Sequence, residues 1–335
     1  MTMPHVDPIG LLVNAGPRAT RGAGVQARIF RADPLLLWSL EPNVDHALWE
    51  MTSVSTNSQG LRYPRDVGPK EARAFRILCL GDSVTFGFRV PRVPPRDARD
   101  DSHGEPYPLL VEAALRAANP GRTIEVIPLA VPGYSSHQGL AWLRRDIDRY
   151  SPDLVTACFG WNDVDRRART DGQTMRTDPV SVAVRRLLCS SQSIVRAGIA
   201  LRAAFPPRGV ASRATTRVPS EEYVQNLLDI ARLARSRGAF TVLIGPVFRD
   251  RFHPPESDDI AADRAALRAA AQASGIPYLE VPELTEESYP ANERLFEDPI
   301  HPNYRGHHLL ARRLLHFLAD KGVSEGPPGL NDQRD

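Results

Sequence analysis

The chain has 335 residues, room for one large domain with additions, and its 42% hydrophobic content suits a globular core. Formal charge is nearly balanced at +2, so the whole-chain total argues against a nucleic-acid partner. The three cysteines make no disulfide framework, and no Cys/His cluster has zinc spacing.

Residues 1–27 carry Gly, Pro and Arg without periodicity and read as a flexible arm. The "IGLLVNAG" within them is too short for a signal h-region or a membrane span, so the chain as given is expected to be cytoplasmic and soluble, with an exported or anchored form left open. Residues 28–75 form an N-terminal β extension, in which Asn57–Gly60 is turn chemistry between β-prone residues and predicts a short hairpin. Apolar runs at Arg76–Leu80, Ile124–Ala130, Leu154–Phe159, Phe240–Ile244 and Pro277–Val281 then predict strands buried on both faces. Helical periodicity falls between and after them, at about Tyr107–Ala118, Ser136–Arg149, Ser220–Arg237, Ala261–Ala273 and Asn303–Lys321. Five strand–helix units in series imply an α/β fold over residues 76–321. The expected form is a three-layer α/β/α sandwich on a five-stranded parallel sheet in the flavodoxin-like order 2-1-3-4-5. Cys79 and Cys158 fall inside strands as small hydrophobes, and Cys189 is read as reduced and structural too. Residues 322–335 read as a disordered tail.

One segment breaks the rhythm. Residues 164–219 exceed any ordinary connection and predict a cap-like insertion with one or two amphipathic helices in "PVSVAVRRLLCSSQSIVRAGIALRAAF". Its eleven arginines against three aspartates make it +8, leaving −6 on the remainder. The plain reading is a solvated face over a packed one; the sharper one is a cap for an anionic substrate or a contact with a membrane surface.

In an open α/β sheet, ligands bind beyond the carboxyl ends of the strands. Ser83 follows the first strand, Gly133 the second, Asn162 the third, and Asp298 with His301 the fifth. A serine hydroxyl needs a base, histidine is the side chain tuned for it, and a carboxylate orients that histidine. Asp298 and His301 share one compact turn stiffened by Pro299. The N–H groups of Ser83 and Gly133 and the amide of Asn162 are donors available to an oxyanion.

The blocks "GDSVTFG", "PGYSS", "GWND" and "DPIHPNYRGH" together resemble, in order, the four diagnostic blocks of the SGNH (GDSL-type) hydrolases. The resemblance runs from about residue 75 to 320, with Val84 in place of the usual leucine and a bulky Trp161 before Asn162. It implies a nucleophile at Ser83, a triad completed by His301 and Asp298, and an oxyanion hole of Ser83, Gly133 and Asn162. It also implies hydrolysis of a carboxylic ester through an acyl-enzyme, with no cofactor and no metal. Substrates of that kind are small-molecule, glycan or lipid esters. Phe88, Tyr134 and Trp161 are the expected substrate-lining residues. An acyltransferase using the same acyl-enzyme and a non-catalytic binding module are the alternatives.

Each residue has a plainer reading. Ser83 alone would be a helix N-cap, and Asn162 and Gly133 turn residues. Asp82 and Asp163 read as structural loop residues, and His307 and His308 as surface or rim positions. The chain lacks the G-x-S-x-G elbow, a Walker motif and a dinucleotide-binding glycine pattern.

Overall fold

The computed structural model describes residues 29–91, 104–167, 169–175, 179–189, 215–247, 257–281, 295–298 and 300–323. The extension opens with two antiparallel hairpins, β1 (Phe30–Asp33) with β2 (Leu37–Leu40) and β3 (Ala47–Trp49) with β4 (Thr52–Val54). Neither is centred on Asn57–Gly60, which corrects the sequence expectation. That segment does turn, but the Asn57 side chain takes the N–H groups of Gln59 and Leu61 and donates to the Arg65 carbonyl. Groups that a strand ladder would pair are satisfied locally instead.

The central strands are β5 (Phe75–Gly81), β6 (Ile124–Ala130) and β7 (Leu154–Cys158). A two-residue antiparallel pair, β8 (Arg166–Arg167) with β9 (Thr215–Thr216), joins the two ends of the insertion. The sheet is completed by β10 (Phe240–Ile244) and β11 (Tyr278–Leu279). Its order is β6-β5-β7-β10-β11, all parallel, which is the 2-1-3-4-5 arrangement. The strands read as unbroken apolar runs because both faces are covered. In β5, Leu78 and Leu80 enter one core while Ile77 and Cys79 enter the other.

The helices, in chain order, are α1 (Ser83–Phe86), α2 (Tyr107–Ala118), α3 (Ser136–Tyr150), α4 (Asp171–Thr174), α5 (Pro179–Cys189), α6 (Ser220–Ser236), α7 (Ser257–Ala273) and α8 (Tyr304–Asp320). On one face lie α3 and α6, with Leu143, Ile147, Leu227 and Ile230; on the other lie α2 and α8, with Val111, Leu115, Leu310 and Leu314. The extension continues the first core, since Ile29, Leu36, Trp38 and Leu40 join the same cluster as α3 and α6.

Of the insertion, α5 packs on β1, and Arg185 Nε donates to the Pro34 carbonyl at 2.7 Å. Val180, Val184 and Leu187 are exposed on this helix. The second half of the amphipathic stretch, the arm and most of the tail lie outside the described residues, as does the Cys189 side chain. Among the described residues no helix is long and apolar enough to cross a membrane.

The structure also corrects the reading of His307 as a rim residue: it is fully buried, whereas His308 is exposed. Residues three or four apart share a helix face, and His307 falls on the apolar stripe with Leu310, Leu314 and Leu318. Its Nδ1 accepts the Tyr107 N–H at 3.1 Å. Burial first, then the positive neighbours Arg62, His301 and His308, hold its pKa down from 6.5 to about 3. Below pH 6.5 the unfolded chain therefore binds a proton here that the folded chain refuses, and stability falls as pH drops. Between pH 6.5 and 4.5 this amounts to about 2 kcal/mol. Urea unfolding at the two pH values is expected to show that loss in the wild type beyond any seen in His307→Asn; equal losses would contradict it.

Candidate active site

β5 ends at Gly81, where an added Cβ would lie 2.0 Å from Thr85 Oγ1, so only glycine lets the chain turn directly into α1. Asp82 is the N-cap, its side chain accepting the Val84 N–H at 2.9 Å. Ser83 is thus the first helical residue, and capping does not occupy its hydroxyl. Ser83 Oγ lies 2.9 Å from His301 Nε2. On the far side of the ring, Nδ1 lies 2.9 and 2.8 Å from the two Asp298 oxygens. The Asp298 carboxylate also accepts the backbone N–H groups of Ile300 and His301, which locks the turn. Burial alone would raise the Asp298 carboxyl; the hydrogen bond and charge of His301, with those two N–H groups, outweigh it and hold it below the usual range.

Asn162 donates one amide hydrogen to Asp82 Oδ2 at 3.1 Å and keeps a second. Burial pushes the Asp82 carboxyl up to about 6, against the Val84 N–H, the His301 charge and the Asn162 amide. Asp163 turns inward and accepts the N–H and hydroxyl of Ser136, tying the Asn162 turn to the start of α3. Burial raises its carboxyl to about 8 despite those bonds. Both aspartates therefore hold loops in place. The backbone N–H groups of Ser83 and Gly133 meet no acceptor among the described residues.

The expected lining residues separate. Phe88 is half-buried with its ring centroid 4.5 Å from that of His301. Trp161 is 9% exposed, donates to the Val247 carbonyl and packs with Val164, Ile260 and Ile300. Tyr134 is fully buried, its ring edge-on to Trp38 and Trp142 and its hydroxyl bonded to the Trp38 carbonyl. Its ring fills the first core, which a tyrosine on a turn does not announce. Sequence reasoning missed Arg89, whose Nη1 donates to Asp298 Oδ2 at 3.2 Å while its guanidinium lies over Phe88. No motif marks it; the only hint is its place directly after Phe88.

The family profile of the GDSL-like lipases/acylhydrolases matches residues 79–309, well over half of the chain. The chain belongs to that family. Among solved structures, this acylhydrolase-family fold is similar to LAE5, an α/β hydrolase enzyme from the metagenome of Lake Arreo, with 19% identity and a TM-score of 0.49 over 74% of this chain and 97% of that one. Acetylxylan esterase Axe2 from Geobacillus stearothermophilus gives 18% identity and a TM-score of 0.48 over 77% and 100% of the respective chains. A GDSL-like lipase from Bacteroides thetaiotaomicron gives 16% and 0.44 over 76% and 92%. No curated protein sequence matches the chain.

Proposed function

We propose that this GDSL-family protein hydrolyses carboxylic esters through an acyl-enzyme on Ser83. The observation that carries the reading is the continuous hydrogen-bonded chain from Ser83 Oγ through His301 to Asp298. With Nδ1–H donated to Asp298, His301 keeps Nε2 free to take the Ser83 proton. Ser83 Oγ then bonds to the ester carbonyl carbon, and the carbonyl oxygen becomes an oxyanion. The N–H groups of Ser83 and Gly133 and the second Asn162 hydrogen are the donors assigned to it. Collapse of the adduct breaks the carbon–oxygen bond to the alcohol, which leaves with the proton from His301. Water, deprotonated by the same histidine, then attacks the acyl-serine; the bond from the acyl carbon to Ser83 Oγ breaks, the serine oxygen takes the proton back from His301, and the acid is released.

The test is direct trapping. Rapid mixing with excess p-nitrophenyl acetate is expected to give a burst of nitrophenol followed by steady turnover. Acid quenching during the burst, then digestion, should place one acetyl group on the peptide holding Ser83. Acetyl on another residue, or turnover without a Ser83 adduct at any time, would refute the proposal.

A further inference from the structure

Gly133 is the one assigned oxyanion donor that comes from a loop with no side chain of its own to hold it. The loop is clamped on both sides by residues from elsewhere in the chain. The Pro132–Gly133 peptide is trans, so its C=O and N–H point in opposite directions. Trp38 Nε1, from β2 of the extension, donates to the Pro132 carbonyl at 3.2 Å. The Gly133 N–H therefore points away from Trp38, and it meets no acceptor among the described residues. The next peptide is held as well: Arg217 Nη1 donates to the Gly133 carbonyl at 2.7 Å. Between the two clamps Gly133 has φ +84°, a left-handed value that glycine adopts without a Cβ penalty.

The Arg217 side chain is itself held by further hydrogen bonds. Arg217, next to β9 at the end of the insertion, is fully buried and donates from Nε and Nη2 to Asp171 and from Nη2 to Gln138 Oε1. Asp171 in turn accepts the Ser135 hydroxyl at 2.6 Å. Gln138 reaches back to the Leu36 carbonyl, and the Arg217 guanidinium lies 6.0 Å from the Trp38 ring centroid. A guanidinium is a costly way to fill space in a core, because its desolvation must be offset by directed bonds. Here those bonds converge on the loop that carries Gly133.

We propose that Trp38 and Arg217 are positioning residues that keep the Gly133 N–H presented to the reacting carbonyl oxygen; this inference rests on the esterase reading above. Trp38 lies outside the residues matched by the family profile, so the extension helps to shape the site.

Trp38→Phe keeps an aromatic ring and removes the N–H, and Arg217→Lys keeps the charge beside Asp171 but loses the planar fork. Losing an oxyanion donor outright costs about 10²–10³ in rate, so its misalignment is expected to lower kcat roughly tenfold in each variant. KM for p-nitrophenyl acetate should stay within about twofold of wild type, because the effect falls on the transition state. Affinity for a trifluoromethyl ketone, which forms a tetrahedral oxyanion on the enzyme, should weaken in step with kcat. A melting temperature that falls while kcat and ketone affinity hold in the folded fraction would make these residues merely structural and overturn the proposal. Unchanged values in either folded variant would overturn it for that residue. Ser83→Ala serves as the reference: turnover that survives it refutes the esterase reading and this proposal with it. Turnover that needs Ser83 but ignores both clamps refutes the clamps alone.

Discussion

Ser83→Ala is expected to lower ester turnover by roughly 10⁴- to 10⁶-fold while leaving the melting temperature within a degree or two of wild type. The asymmetry follows from what the hydroxyl touches. Asp82, not Ser83, caps α1, so the helix start does not depend on the serine side chain. The Oγ atom faces His301 Nε2, and that contact is the one lost. Alanine is also well tolerated at the first turn of a helix. A serine that only capped the helix would behave in the opposite way, costing about 1 kcal/mol of stability and little activity. Initial rates with p-nitrophenyl acetate, a serine-directed fluorophosphonate probe and a thermal melt on both proteins separate the two cases. A variant that keeps a tenth of the wild-type rate, or still takes the probe with equal efficiency, would show that Ser83 is not the nucleophile.

Asp298→Asn is expected to lower kcat by about 10⁴ at neutral pH with little change in KM. Asp298 accepts from four donors: the N–H groups of Ile300 and His301, His301 Nδ1 and Arg89 Nη1. An ionised carboxylate has acceptor capacity for all of them. Asparagine has one oxygen, and the turn N–H groups and Arg89 compete for it. The amide nitrogen then faces His301 Nδ1, which must accept rather than donate. That moves the ring proton to Nε2, and the nitrogen facing Ser83 can no longer take a proton. Asparagine is close to isosteric, so the packing around Phe88 and His301 should survive. Steady-state kinetics from pH 6 to 9 would check this, and a loss below about tenfold would contradict the assigned tautomer.

The extension lies before the residues matched by the family profile, and the insertion lies within them. The extension supplies Trp38 to the loop after β6, and the insertion supplies Asp171 and Arg217 to the same loop. Arg62, also in the extension, is buried and donates to the carbonyls of Phe86, at the end of the serine helix, and of Gly87 and Val90 just after it. Burial lowers its pKa to about 10, opposed by the charge of Glu105. These arginines come from segments whose sequence carries no site motif.

What the sequence determined by itself was whatever rests on local pattern. The apolar runs of β5, β6, β7 and β10 were legible because a strand buried on both faces needs an unbroken run, and that is a one-dimensional property. The Asp298–His301 contact was legible because a spacing of three residues within one turn brings the two side chains together. The candidate residues could be placed at one sheet edge because parallel strands all end on the same side. Tertiary structure alone decided which of several chemically similar residues is buried and what it touches. In a charge count, Arg217 is one of eleven arginines of a basic insertion; folded, it is sealed in the core and bonded to the Gly133 carbonyl. Tyr134, beside the glycine turn, is buried in the core, and His307 is buried while His308, one residue on, is exposed. The reason is physical: a residue's desolvation and its bonding partners are set by chain segments distant in sequence, and no local window contains them.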